Sequence, residues 1–554
     1  MSEELHEITQ HATIGPIKGL RKGSGVVQYL GVQYATLKDR FARGELLESY
    51  SGSHPSKQGG SLNATRIGPV PVSPENGCEW EQTLLQHPLP FGEYPQSDTE
   101  CLTLNIAVPS CNPRTRLRLP VLVFVHGGAF ATGSSSYPQN DLARIVQLSS
   151  DINKPMIAVG VNYRLGAPGF LYSSTMEAAG YKPNNGLDDQ RLALRWVQRH
   201  IPGFGGDPQK VTFMGESAGG ASGCFHLHSA APLFHQFISM SGTSLLRARS
   251  PEVLERSFAR VTDIFGINDL TPQEQVQHLL KAPIDDLRAR VGRQVPLGPM
   301  VDGDMIHETT TFQALAGRSD FERLFPGAGH CQRILVGDCQ MDAAALAPRL
   351  ESRTDILPQT LVNCLLRVLK PTDTDTATAV IAAYGLDDGS MATTQTSTER
   401  VLNVGNDVCF AVAAQAFARA WSLAGHEAFL YRFNCPNPWN GVWKGYATHI
   451  LDLAFLLLNY NEYLSQGQRE NAERFAKDVI TFVHGGEPWM AYRSGIQEGS
   501  MVYDAPAEGD LDRSEYVGWE TPQLTGRRDI MQSIDEPGLL DRMMEGWQLF
   551  MAQK

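Results

Sequence analysis

Long apolar runs are missing from this chain of 554 residues. No run approaches the roughly 20 apolar residues that a membrane-spanning helix needs, so no transmembrane segment is expected. The opening MSEELHEITQ lacks the basic and then apolar pattern of a secretory leader. A cytoplasmic protein is the expectation, unless a leader has been removed. Basic residues are in the minority, 47 Lys and Arg against 60 Asp and Glu, and the resulting net charge of −13 is dispersed along the chain. A spread negative balance favours solubility and argues against nucleic acid as a partner, which calls for clustered lysine and arginine. Zinc-type spacing of cysteine and histidine is absent, so no metal is expected; His226 and His228, in a stretch of small and apolar residues, read as packed side chains. Nine cysteines in such a length read mostly as small buried apolar residues. Repeats, linkers and low-complexity tracts are also lacking. The most polar stretch, residues 49–61, is short enough for a surface loop, and residues 1–554 read as one domain.

What is present is a composition suited to a large, loop-rich globular protein: 42% hydrophobic residues, 52 glycines and 33 prolines. Short apolar segments recur at Gly25 to Tyr34, Leu102 to Val108, Pro120 to Val125, Met156 to Val161, Val211 to Met214, Phe237 to Met240, Arg333 to Val336 and Ala428 to Phe433. Continuous apolar runs of this length are the pattern of strands buried on both faces. Helical patterns alternate with them. The clearest, Leu187 to His200, has Asp188 and Asp189 in its first turn and a broad apolar side of Leu192, Leu194, Trp196, Val197 and Ile201. Alternation of this kind predicts an α/β fold with a mostly parallel central sheet flanked by helices, and chemistry at the carboxyl ends of the strands.

One stretch carries a nucleophile pattern in that position. VTFMGESAGG, residues 211 to 220, reads as strand, sharp turn and helix, the helix running from Ala218 to Ser229, with Gly215 and Gly219 leaving room on either side of Ser217. G-x-S-x-G is common by itself; between a strand and a helix it is the elbow that lifts a serine hydroxyl above a sheet. After Pro120 to Val125 come His126, Gly127, Gly128, Ala129 and Phe130, whose small residues leave backbone amides uncovered beside the elbow. The amides of this loop and of Ala218 are candidates for an oxyanion hole. A general base must lie beyond the carboxyl end of a late strand. His426 precedes the strand Ala428 to Phe433, and His484 closes the amphipathic helix Ala472 to Val483. His449, in the loop NGVWKGYATH, fits. For the acid, Asp338 and Asp342 both qualify by position after Arg333 to Val336.

These blocks are similar to the carboxylesterase/cholinesterase family, the type-B carboxylesterases of the α/β-hydrolase fold. The resemblance is carried by TECLTLNI (99 to 106), VFVHGGAF (123 to 130), VNYRLGAPGFL (161 to 171), NNGLDDQRLALRWVQRHIPGFGGDPQKVTFMGESAGG (184 to 220), SMSG (239 to 242), GPMVDGD (298 to 304) and THILDLAFLL (448 to 457). It implies one α/β-hydrolase domain with helical insertions around the active site, a small-molecule ester as substrate, and no cofactor. It makes Ser217 the nucleophile, His449 the base, and the amides of Gly128, Ala129 and Ala218 the oxyanion hole. The family's acid is usually a glutamate five residues after the strand-end glycine, with a glycine after it. Counting from Gly337 reaches Asp342, followed by Ala343, a departure that leaves the carboxylate one methylene shorter. Phe213, where relatives usually carry an aliphatic residue, is a milder one. The resemblance gives Ser241 a hydrogen bond to the acid, and Cys78 and Cys101 the ends of a loop that a disulfide closes in secreted relatives, with reduced thiols the other option. Cholinesterases hold a cation over a tryptophan at the position of Phe91, ten residues before Cys101. Phe91, Phe130 and Trp443 are candidate walls of a substrate pocket, together with the helical region between 350 and 425.

Overall fold

The computed structural model describes residues 6–23, 25–50, 57–58, 60–110, 118–292, 294–369, 374–386, 396–506, 509, 511–518 and 537–552. Most of the polar stretch 49–61, namely residues 51–56 and 59, lies outside the described residues.

The apolar runs form strands, most of them longer than the sequence pattern marks. Six of them, joined by a further strand β7 (Gly499–Tyr503), are parallel: β1 (Leu119–Val125), β2 (Ile157–Val161), β3 (Gly206–Glu216), β4 (Gln236–Met240), β5 (Arg333–Cys339) and β6 (Glu427–Phe433), in the spatial order β7-β6-β5-β4-β3-β1-β2. Their side chains alternate between two cores. Along β1, Val121, Val123 and Val125 enter the larger cluster while Leu122 and Phe124 enter the second, on the opposite face of the sheet. Burial on both faces is why these strands show no polar alternation. The sequence pattern misses the sheet's margins. Strands His6–His11, Gly15–Lys22 and Ser61–Ala64 lie on one side, and β7 with antiparallel Glu515–Gly518 on the other. These are shorter or half-exposed, with polar residues interleaved.

Four helices matter for the site: α1 (Gly77–Leu85), α2 (Asn185–His200), α3 (Ala218–His226) and α4 (Ser397–Asn406). Within α2, Asp189 accepts Arg164 Nε at 2.8 Å and Nη2 at 2.7 Å, both side chains being fully buried. Arg164 Nη1 also donates to the carbonyls of Arg40 and Ala42. A buried two-pronged pair of this kind fixes geometry more than it adds stability. The helical run Ser397–Leu423, 27 residues, is long and apolar enough to cross a membrane, but 83% of its most apolar window is buried inside the fold. Its hydrophobicity therefore serves the core.

The sheet register decides which loops meet. Gly215 pairs with Val125, Glu216 with Met240, Met240 with Gly337 and Cys339 with Phe433. Residues 126–130, 217, 241–242, 340–342 and the chain after 433 therefore leave the sheet at the same edge. The chain goes from β1 to β2 on one side and on to β3 on the other, so the order reverses at β1. Open α/β sheets place their sites at such a reversal.

Candidate active site

Ser217 sits between β3 and α3 with φ 54° and ψ −118°, a strained backbone for a residue with a side chain. Its amide donates to Met240 O at 2.8 Å, which ties the turn to β4. A Cβ on Gly215 would overlap the carbonyl of Gly219, and one on Gly219 would overlap Val125 O, so the elbow closes only with glycine at both places. The loop after β1 lies directly on it: a Cβ on Gly127 would meet both the Glu216 carboxylate and Ser217 Cβ. Gly128, Ala129 and Phe130 all have positive φ, 92°, 54° and 60°. Gly128 O accepts the amides of Ala131 and Thr132, closing the turn. Among the described residues no acceptor takes the amides of Gly128, Ala129 or Ala218. Tyr163 Oη donates to His126 O at 3.0 Å while the His126 ring stacks on Tyr163 at 4.7 Å, and together they hold this loop from below.

His449 lies in the loop between β6 and the helix Leu451–Leu456. Its Nδ1 donates to Asp342 Oδ1 at 2.7 Å, and the second oxygen of Asp342 accepts the Cys339 amide at 2.8 Å. Asp342 is fully buried and His449 nearly so. Between the two acid candidates the structure is plain. β5 continues to Cys339, which makes Asp338 a residue of the strand, and Asp342 is the one that reaches the histidine.

Nε2 of His449 does not hydrogen-bond Ser217 Oγ. It faces Glu216 Oε1 at 3.2 Å, an ion-pair contact whose angles fall short of a hydrogen bond, so that oxygen is otherwise unpartnered. Hydrogen bonds of this kind often tighten only when substrate is bound. Burial pushes the Glu216 carboxyl well above the usual carboxylate range, and the facing imidazole pulls it back. Burial alone would lower the His449 pKa, yet Glu216 and Asp342 lift it to about 9. Asp452, three residues on, is raised to about 6 by burial and by Asp342 while it accepts Tyr431 Oη at 2.7 Å. Glu216 stood inside the serine motif, but its orientation toward the histidine is a tertiary fact. Asp452 and Tyr163 gave no sequence signal of a role.

A raised histidine has a definite kinetic sign. The base form of His449 accumulates as pH rises through its pKa, so kcat/KM ascends on the alkaline side of the ordinary histidine value of about 6.5. Glu216→Gln removes the largest charge holding that proton. The ascending limb then moves to lower pH, in a pH–rate profile of the two proteins on one ester. An unmoved limb would contradict the assignment.

Other expectations fare unevenly. Ser241 is buried with φ 49°, and its amide donates to Gly337 O at 2.9 Å, but its Oγ has no hydrogen-bond partner. It supports the turn behind Ser217 and makes no hydrogen bond to the acid. Cys78 and Cys101 are not joined. Cys78 Sγ lies against Gln82 at 3.6 Å and Gln139 at 4.0 Å, and Cys101 is fully buried near the Arg164–Asp189 pair. Phe91 is 47% exposed with its ring stacked on Tyr94, centroids 6.3 Å apart. Phe130 follows the candidate oxyanion amides and packs on Phe170. Trp443 is half-buried against Tyr446 in the loop leading to His449, its amide donating to Gln86. His226 and His228 are buried and packed, as expected.

The profile of the Carboxylesterase family matches residues 6–506. The chain belongs to that family. It is 34% identical over 275 residues to the carboxylesterase patB of Aspergillus clavatus, covering 47% of each chain. It is also 34% identical over 283 residues to the para-nitrobenzyl esterase of Bacillus subtilis, covering 50% of this chain and 52% of that one. The chain thus spans about half the length of these curated relatives in the matched region. In three dimensions it superposes on a PNB esterase with a TM-score of 0.69 at 25% identity, covering 95% of this chain and 100% of the other. The architecture is the α/β-hydrolase fold of these esterases.

Proposed function

We propose that this carboxylesterase-family chain is a serine ester hydrolase acting through Ser217, His449 and Asp342 on neutral esters of small to medium size. The observation that carries the reading is the 2.7 Å bond from His449 to Asp342 at the edge where the Ser217 elbow faces three uncommitted amides. Ser217 Oγ attacks the ester carbonyl while His449 Nε2 takes its proton. The amides of Gly128, Ala129 and Ala218 hold the oxyanion, and removing one such donor costs roughly 10² to 10³ in turnover. His449 then gives the proton to the leaving alcohol, and water repeats the sequence on the acyl-enzyme. No step needs a cofactor. The presence of every group of the machinery separates this chain from non-catalytic proteins on the same fold. Release of free acid rather than a transferred acyl group separates hydrolysis from acyl transfer. Cys78 and Cys101, both buried and not joined to each other, support an intracellular setting for the same enzyme.

Hydrophobic burial dominates substrate choice in this reading. Phe91 stands where a cation-binding tryptophan would stand, and an exposed phenylalanine offers ~0.5 to 1 kcal/mol to a cation. Each buried methylene contributes ~0.8 kcal/mol. Butyrylcholine is therefore expected to be no better a substrate than its uncharged 3,3-dimethylbutyl analogue. The check is a comparison of specificity constants, and a clear advantage for the cation, lost in Phe91→Ala, would overturn the expectation.

A further inference from the structure

Asp342 has a short side chain, one methylene long, so its reach to His449 depends on where the backbone holds it. The turn that carries it is stitched on one side to the histidine's own loop: Met341 N donates to Ala447 O at 2.9 Å, and Ala447 N donates to Gln340 Oε1 at 3.2 Å. On the other side a single side chain from a distant element spans the turn. Asn406, the last residue of α4 and fully buried, accepts the Ala343 amide on Oδ1 at 3.2 Å and donates from Nδ2 to the Gln340 carbonyl at 3.1 Å. These two backbone groups flank Asp342.

The chain beyond Asn406 is shaped for the same place. Asp407–Ala411 is a π-helical turn, a feature that recurs at functional sites because the extra residue re-aims the side chains that follow. Here it sets the Phe410 ring against His449, with centroids 5.6 Å apart and planes at 61°. Tyr384 Oη donates to Asp407 Oδ2 at 2.9 Å, which anchors the turn from behind.

We propose that Asn406 is a positioning residue for the catalytic acid: its amide clasps the turn from Gln340 to Ala343 and so brings a short carboxylate within hydrogen-bonding distance of His449. An amide is required because the clasp uses one acceptor and one donor on the same side chain. Aspartate offers only acceptors and leucine neither. The proposal rests on the serine–histidine–aspartate reading above, so its test carries a control for that reading.

The full chain is prepared as wild type, Asn406→Asp, Asn406→Leu, Asp342→Glu, Asn406→Leu with Asp342→Glu, and Asp342→Asn, and each is assayed on an aryl ester with thermal melting in parallel. Releasing the clasp lowers kcat by about 10- to 100-fold with KM held within about twofold, since displacement of a catalytic group by ~1 Å has that order of effect. Glutamate at 342 overreaches in the clasped turn and lowers kcat there. In the Asn406→Leu protein the same longer side chain restores part of the loss, so the two changes are not additive. Full turnover in both Asn406 variants, or additive losses, while Asp342→Asn is inactive, would overturn the clasp alone. An active Asp342→Asn protein would overturn the triad reading and the clasp together. Asn406→Asp, close in shape to the native residue, keeps the test decisive if Asn406→Leu fails to fold.

Discussion

Replacing Ser217 with alanine is expected to lower turnover on activated aryl esters by several orders of magnitude, on the order of 10⁴ to 10⁶. The fold should be undisturbed. The elbow is held by the Ser217 amide on Met240 O and by overlaps that only glycine at 215 and 219 relieves, and none of these involves the hydroxyl. Residual hydrolysis would come from the uncovered amides of Gly128, Ala129 and Ala218, which still polarise a bound carbonyl. An organophosphate should label the wild-type protein on the peptide containing Ser217 and leave the variant unmodified, as read by mass spectrometry. A variant with wild-type turnover and an unchanged melting temperature would end the reading of Ser217 as nucleophile.

Asp342→Asn should cost up to about 10⁴ in turnover, and the structure says how. One oxygen of Asp342 accepts the Cys339 amide and the other accepts His449 Nδ1. In asparagine the single oxygen is claimed by the Cys339 N–H, which has only an acceptor's place to fill. The amide nitrogen then faces Nδ1 and forces the tautomer that is protonated on Nε2. That imidazole cannot take a proton from Ser217. Asp338→Asn should behave differently, because Asp338 is buried within β5 and does not reach the histidine. Its effect should appear in the melting temperature, with turnover changed by no more than a few fold. Steady-state kinetics of both variants separate the two carboxylates, and the reverse pattern would overturn the assignment of the acid.

Legibility followed the range of the interactions. Six of the seven parallel strands are readable because they are apolar on both faces, and β7 is not, because Gly499 and Ser500 break its apolar run. The margins of the sheet were missed for the same reason, since half-exposed strands carry polar residues. The elbow and the loop at 126–130 are local solutions to local steric demands, so glycine spacing shows them. Position alone leaves Asp338 and Asp342 both open as the acid, and only the spacing from Gly337 that the family resemblance supplies favours Asp342. Ser241 and the Cys78–Cys101 pairing came from resemblance alone, and the structure gives neither the expected bond.

By itself the sequence determined the sheet's central strands, the strained turn at Ser217, the uncovered amides after β1 and the loop that bears His449. Each is a consequence of residue size and backbone freedom within a dozen positions. The tertiary structure decided which way the imidazole faces, how strongly its proton is held between Glu216 and Asp342, and how Asn406 grips the acid's turn from 63 residues away. Coulomb energies and hydrogen bonds depend on separations of a few ångströms in a buried, weakly screening interior, and those separations exist only once distant segments have been packed together.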